Sequence, residues 1–491
     1  MTIADLSSPI NKPPKLKLLT MFRLGLFQMG LGIMSLLTLG VLNRIMIDEL
    51  IVLPGIAAGA IAMYQFVSPS RIWFGQMSDS KQLFGYHRSG FIWIGAVLFT
   101  LISFLALQVV WQLGLSLQAT GWSVVTYGWA LVLAMVFAGY GLALSASSTP
   151  FAALLVDVSD EDNRSQLVSI VWSMLMVGIV LGAIVGSKLL DSPDICGKAI
   201  LSYDPTQTKK ITDIALLQKT VNPVFILMPS LVLLLGFVAT WGVEKKYSRF
   251  SSRINAGTGA NPREDQITFS HALKVLTASR QTGFFFSFLL VLTLSLFMQD
   301  AVMEPYGGEV FGMCISETTK LNAFFGTGTL LGIGFTGFLV IPRLGKKRTT
   351  KLGALLAAAC LILIILAGFT ASQSLLKSGL LFFGLASGIL TAGATNLMLD
   401  LTAAETAGTF IGAWGLAQAM SRGLATVLGG LILNLGKIFF TNPVFAYGMV
   451  FVLQAFGLIF AVIILERVNI KEFQENAQSA IAKIMESELD G

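Results

Sequence analysis

Apolar residues run along this chain in stretches of about 20, and polar residues collect in the short segments between them. A stretch of that length crosses roughly 30 Å of hydrocarbon as a helix. The pattern predicts twelve spans near 19–46, 53–77, 89–111, 122–156, 164–188, 222–243, 281–303, 319–341, 351–371, 375–400, 408–436 and 443–466. A polar segment at 244–280 divides them six and six. The expected units are a tail at 1–18, a six-helix half at 19–243, a linker at 244–280, a second half at 281–466 and a tail at 467–491. Residues 1–18 are polar, contain Pro13-Pro14 and lead into a span too long for a signal peptide, so the first helix is expected to belong to the fold.

The two halves repeat. One constant shift brings GLALSASSTPFAALLVDVS (141–159) onto GLASGILTAGATNLMLDLT (384–402), so that Gly141 meets Gly384, Asp157 meets Asp400 and Gly186 meets Gly429. A slightly larger shift aligns the ends of spans one and seven, Asn43-Arg44 with Gln299-Asp300 and Asp48 with Glu304. A duplicated six-helix unit points to an all-α membrane protein of the major facilitator fold, with a cavity between pseudo-symmetric halves. The loop after span two carries Gly75, Asp79 and Arg88, and its counterpart after span eight ends in Arg348. Both resemble the major facilitator latch, in which an acid at one helix end meets a base beyond a turn. The second copy has Pro342-Arg343 where the acid belongs. Asp157, Arg164 and Asp400 stand where further latch residues are expected. Glycines at four-residue spacing, Gly178, Gly182 and Gly186 and again Gly328 and Gly332, predict close helix packing.

Composition agrees. Of 491 residues 54% are hydrophobic and only 12% charged, with a mean hydropathy of +0.76, which excludes a soluble globular domain. Most of the 33 basic residues fall on the side of the termini, and by the inside-positive bias both termini are expected to be cytoplasmic. The net charge of +6 therefore reflects topology and calls for no nucleic-acid partner. The three cysteines lack metal-ligand spacing; Cys196 and Cys314 share the outer side, and whether they pair stays open.

No enzyme signature is present, and the two histidines, His87 and His271, lie outside the spans, so no catalytic activity is expected. Intramembrane polar groups are therefore the candidates, because a charge at a helix centre costs roughly 2.5–3.5 kcal/mol and so tends to face a cavity or a partner. Arg422 stands near the middle of span eleven with Gln418 one turn before it, and Gln28, Gln65 and Asn396 share that depth. Toward the outer end, Asn43, Arg44 and Asp48 close span one, while Gln299, Asp300 and Glu304, taken as one helical face, close span seven. An outer gate is expected there, with Arg44 paired to Asp300 or Glu304.

Four motifs, LNRIMIDEL (42–50), RIWFGQMSD with FGYHRSGFIWIG (71–95), QDAVMEPYGGEVFGM (299–313) and DLTAAETAGTFIGAWG (400–415), resemble the light-harvesting-complex assembly proteins of the PucC/LhaA type. The resemblance covers nearly all of 19–466. It implies a factor in the photosynthetic membrane, thylakoid or cytoplasmic, that handles chlorophyll or bacteriochlorophyll. The implied partners are the pigment or its precursors, chlorophyll synthase, and photosystem or antenna subunits. It also implies a transiently held pigment whose Mg would need an axial ligand; without an intramembrane His, the candidates are Gln28, Gln65 and Gln418. Two other readings stay open: a proton-coupled carrier of a small solute, and a non-transporting scaffold for nascent membrane subunits.

Overall fold

The computed structural model describes residues 16–159, 161–193, 196, 212–248, 280–400 and 407–469. The expected linker, both tails and His271 lie outside them, apart from a short helix at Val243–Tyr247. The first half is built from α1 (Leu18–Glu49), α2 (Pro54–Phe66), α3 (Ser70–Ser80), α4 (Ser89–Thr120), α5 (Val124–Val158), α6 (Glu161–Leu189) and α7 (Ile214–Thr240). The second comprises α8 (Arg280–Phe297), α9 (Met303–Phe311), α10 (Ile315–Phe335), α11 (Lys346–Phe369), α12 (Gln373–Asp400), α13 (Ala407–Phe439) and α14 (Pro443–Glu466).

Ten of the described helices are long and apolar enough to cross a membrane. The expected second span is broken at Val67–Pro69 into α2 and α3, and the expected eighth is α10 followed by a π turn at Thr336–Val340, an arrangement compatible with twelve crossings. Side chains such as Leu101, Leu131, Phe456 and Phe460 stay exposed on the outside of the bundle, as a lipid-facing surface requires.

Each half has its own apolar core. Phe99, Trp111, Phe137 and Phe225 centre the first, and Phe285, Phe288, Phe383 and Phe451 the second. The repeat seen in the sequence is a packing repeat. Gly141 of α5 lies against the Tyr64 carbonyl of α2, and its mate Gly384 of α12 lies against the Phe325 carbonyl of α10. The spaced glycines act within the bundle: Gly178 meets the Met29 carbonyl of α1, and Gly328 and Gly332 meet the Leu381 and Leu385 carbonyls of α12. A side chain at any of these would hold the backbones apart.

The halves touch along two seams, α2 against α13 and α6 against α10, related as a pseudo-twofold axis demands. On the face where Leu16 and Asn469 lie, packing stays chiefly within each half. There, among the described residues, α3 packs chiefly on α5, and the Thr336–Leu344 stretch packs chiefly on α10, α11 and α12, each within its own half.

Candidate functional site: polar residues where the halves meet

Spans one and seven both leave regular α geometry where their polar residues begin. α1 widens into π turns at Leu36–Val41 and Ile45–Glu49, on either side of Asn43 and Arg44. Between α8 and α9 the chain tightens into a 3-10 turn at Met298–Ala301. Such departures are frequent at functional sites, because they turn side chains off the regular face.

This turn corrects the expectation that Gln299, Asp300 and Glu304 share one face. Gln299 is buried and hydrogen-bonds Gln454 of α14, inside its own half, while donating to Asp300 at 3.0 Å. Glu304, carried around by the turn, accepts from Asn322 of α10 and lies against the Gly40 backbone of α1.

The expected pairing of Arg44 with Asp300 or Glu304 is likewise corrected. Arg44 pairs with Asp48, four residues on in its own helix, and with Glu49 at 3.3 Å. An acid one turn away needs no second element to be brought up, so it wins over a carboxylate in the other half. The two halves still meet at this place, through backbone carbonyls of the second half. Asn43 donates to the Ala301 carbonyl at 2.7 Å, Arg44 donates to the Met313 carbonyl at 3.2 Å, and Gly308 of α9 sits directly against the Arg44–Asp48 pair. Beside them Cys196 and Cys314 form a disulfide with a Cα–Cα distance of 5.2 Å, joining the halves, and Ser316 reaches Asp191 at 3.4 Å. These bonds close the end of the molecule opposite the chain ends.

Below that closure lies a polar cluster drawn from both halves. Gly423 of α13 stands 3.2 Å from Gln65 and 3.0 Å from Phe66, bringing the middle of α13 against the end of α2. Arg422 lays its guanidinium over the Phe297 ring at 3.9 Å, and its Nε is buried with no hydrogen-bond partner among the described residues. Tyr64 faces it from the first half, close enough to feel the charges of Arg422, Asp300 and Arg71. Gln65 donates to the Tyr64 hydroxyl at 2.6 Å, which leaves its carbonyl oxygen as the atom able to ligate a metal. Gln28, Asn396 and Gln418 are half-buried, and Asn396 is turned back onto its own helix, donating to Ala392 at 2.8 Å.

On the opposite face the first latch is assembled, and of the second only Arg348 has a described side chain. Arg88, 1% exposed, bonds Asp157 at 2.9 Å and Ser78 at 2.6 Å and pairs with Asp79. Gly75 lies inside α3 instead of forming a turn, and Arg164 bonds Ser159 at 3.3 Å. Arg348 is exposed; its neighbours Lys347 and Lys351 bind the end of α14, at the Val468 carbonyl (2.8 Å) and the Glu466 carboxylate. With Pro342-Arg343 in place of an acid, no carboxylate at the end of α10 pairs with Arg348 among the described residues. The Asp400 side chain lies outside the described residues.

Three residues here were missed from the sequence. Glu244 accepts the backbone N–H groups of His87 (2.7 Å), Arg88 (3.1 Å) and Ser89 (2.6 Å), holding the start of α4 at the end of the sixth span. Glu466 plays the matching part at the end of the twelfth. Glu309 takes Lys437 and Tyr447, each at 2.7 Å, and fixes α9 to α13 and α14. The available signal was an isolated acid at the end of an otherwise apolar span.

A family model described as PUCC protein matches residues 41–473. The chain belongs to the PUCC protein family. Among relatives of this family, the chain is 29% identical over 458 residues to the bacteriochlorophyll synthase 44.5 kDa chain of Rhodobacter capsulatus, covering 90% of this chain and 94% of that protein. It is also 29% identical over 453 residues to Protein PucC of the same organism, covering 90% of each. Among solved structures, a bacterial homologue of the human lysosomal transporter Spinster, in an inward-facing and occupied conformation, superposes with a TM-score of 0.63 at 13% identity. That match covers 92% of this chain and 97% of the other. The fold is that of the major facilitators, in an integral, multi-pass membrane protein.

Proposed function

We propose that this chain is an assembly factor for photosynthetic pigment–protein complexes that holds (bacterio)chlorophyll transiently and hands it on, without itself catalysing a step. Membership of the PUCC family across nearly the whole chain carries the reading, and the bacteriochlorophyll synthase name of a relative supports the pigment as cargo. The polar cluster suits such a role, with the Tyr64, Tyr140 and Phe297 rings beside it and the carbonyl oxygen of Gln65 as an axial donor. A carbonyl oxygen is a donor that Mg accepts, and a single uncharged contact of this kind favours release over storage.

On this reading the face opposite the closed end is cytoplasmic, as are both termini, and the partners are the enzyme that completes the pigment and the antenna or photosystem subunits that receive it. A strain lacking the chain tests this. The proposal expects pigment–protein complexes to fall several-fold while free pigment or its precursors persist. Normal complexes together with loss of uptake of a water-soluble compound would instead identify a carrier.

A further inference from the structure

Two arginines stand near the seam between α2 and α13, and neither has an ion pair among the described residues. Arg422 belongs to α13, whose next residue Gly423 lies 3.2 Å from Gln65 and 3.0 Å from Phe66, and Arg71 begins α3 just beyond that end of α2. Each acts electrostatically on Tyr64, and Arg71 feels the charge of Arg422. Arg422 is held over Phe297 with its Nε buried and unbonded. Arg71 is exposed and makes no hydrogen bond among the described residues. The carboxylate in reach, that of Asp300, is already engaged by Gln299, so the local balance is two positive charges against one negative.

Such an arrangement is costly at membrane depth. Each arginine alone is expensive to insert, and two of like charge add repulsion. The other intramembrane arginine, Arg44, is neutralised by Asp48 and Glu49, so this protein does supply acids where it needs an arginine for structure. What Arg71 and Arg422 lack, among the described residues, is an anion paired to them. Around them stand Tyr64, Phe66 and Phe297, with Tyr140 edge-on to Tyr64 at 6.1 Å, so the same space offers an apolar wall for a hydrocarbon body.

We propose that Arg71 and Arg422 form a site, shared between the two halves, for the oxyanion head of an amphiphile whose apolar body lies along the Tyr64, Phe66 and Phe297 rings. Fork-shaped guanidinium groups match carboxylate and phosphate oxygens two at a time, and the Tyr64 hydroxyl is placed to donate a third bond. The head group bridges the halves, so binding favours the conformation in which α2 and α13 stay together. The inference goes beyond pigment handling: esterified chlorophyll has no such anion, whereas an unesterified pigment acid or a prenyl phosphate has.

Binding to the full-length protein in detergent tests this without using pigment. The probes are tritiated eicosanoic acid, eicosyl phosphate and eicosanol, which share one chain length and differ in head group. At least one of the two acids is expected to bind tenfold or more tighter than the alcohol, and whichever binds tighter identifies carboxylate or phosphate as the head. Arg71→Met and Arg422→Met should each lose tenfold or more for that acid and leave the alcohol unchanged. Arg422→Lys should keep part of the affinity, which shows that charge is read and that the variant folds. Equal binding of all three probes, or unchanged affinity in both Met variants, would overturn the proposal.

Discussion

Gly308→Ala is the smallest change that tests whether the Arg44–Asp48 pair closes the molecule between α1 and α9. A β-carbon on Gly308 would fall inside the contact radius of the Asp48 carboxylate and the Arg44 guanidinium. Neither group can give way easily, since both side chains are almost fully buried and Arg44 is also tied to Met313. Overpacking a rigid site costs about 1–3 kcal/mol, and forcing the pair apart raises this toward about 3–5 kcal/mol. The neighbouring Gly307 is a matched control. Its added carbon would meet Leu321 and Thr318 at 3.0 Å and Met313 at 3.3 Å, all at the ends of flexible side chains, and should cost no more than the lower figure. Gly334, with nothing within 4 Å, should cost only a few tenths at most. Thermal unfolding in detergent, with maleimide accessibility of a cysteine placed at Ala301, reads both stability and closure. Gly308→Ala should unfold earliest and expose position 301. If it matches Gly334→Ala in both respects, the closure does not depend on this contact.

Two other regions give equally direct expectations. Arg88→Met takes a buried cation from Asp157, Asp79 and Ser78 and should destabilise the first half by about 3–5 kcal/mol, whereas Arg88→Met combined with Asp157→Leu should be milder than the single change; the order of unfolding temperatures decides. Because the Cys196–Cys314 bond joins the two halves, cutting an engineered protease site inserted between positions 249 and 279 should leave one band on a non-reducing gel and two on a reducing gel. Cys314→Ser should give two bands in both, and two bands without reductant in the parent would show that the halves are not cross-linked.

Much of the architecture was legible because hydrocarbon imposes a length and a periodicity that the chain cannot hide. The repeat glycines carried physical information as well: Gly141 and Gly384 align in sequence because each lets a helix touch the backbone of its neighbour. The candidate residues at the closed end lie near one another in the fold, but not in the pairs expected. Arg44 had an acid one turn away in Asp48, and only the 3-10 turn at Met298–Ala301, for which apolar periodicity gives no sign, shows that Asp300 and Glu304 point different ways. Glu244 and Glu466 were missed for a related reason. Each looks like an ordinary charge at a membrane edge, and its role depends on a loop folding back from another span. Arg71 opens the RIWFGQMSD motif, but nothing in the sequence relates it to Arg422; that needs the seam between α2 and α13.

The most direct test of pigment handling is the absorption spectrum of the protein purified gently from its own photosynthetic membrane. The account predicts a chlorophyll or bacteriochlorophyll red band that co-elutes with the protein at substoichiometric level and is weakened by Gln65→Leu in a protein of unchanged elution profile. A preparation free of pigment under the mildest solubilisation, from membranes in which pigment–protein complexes are being assembled, would contradict it.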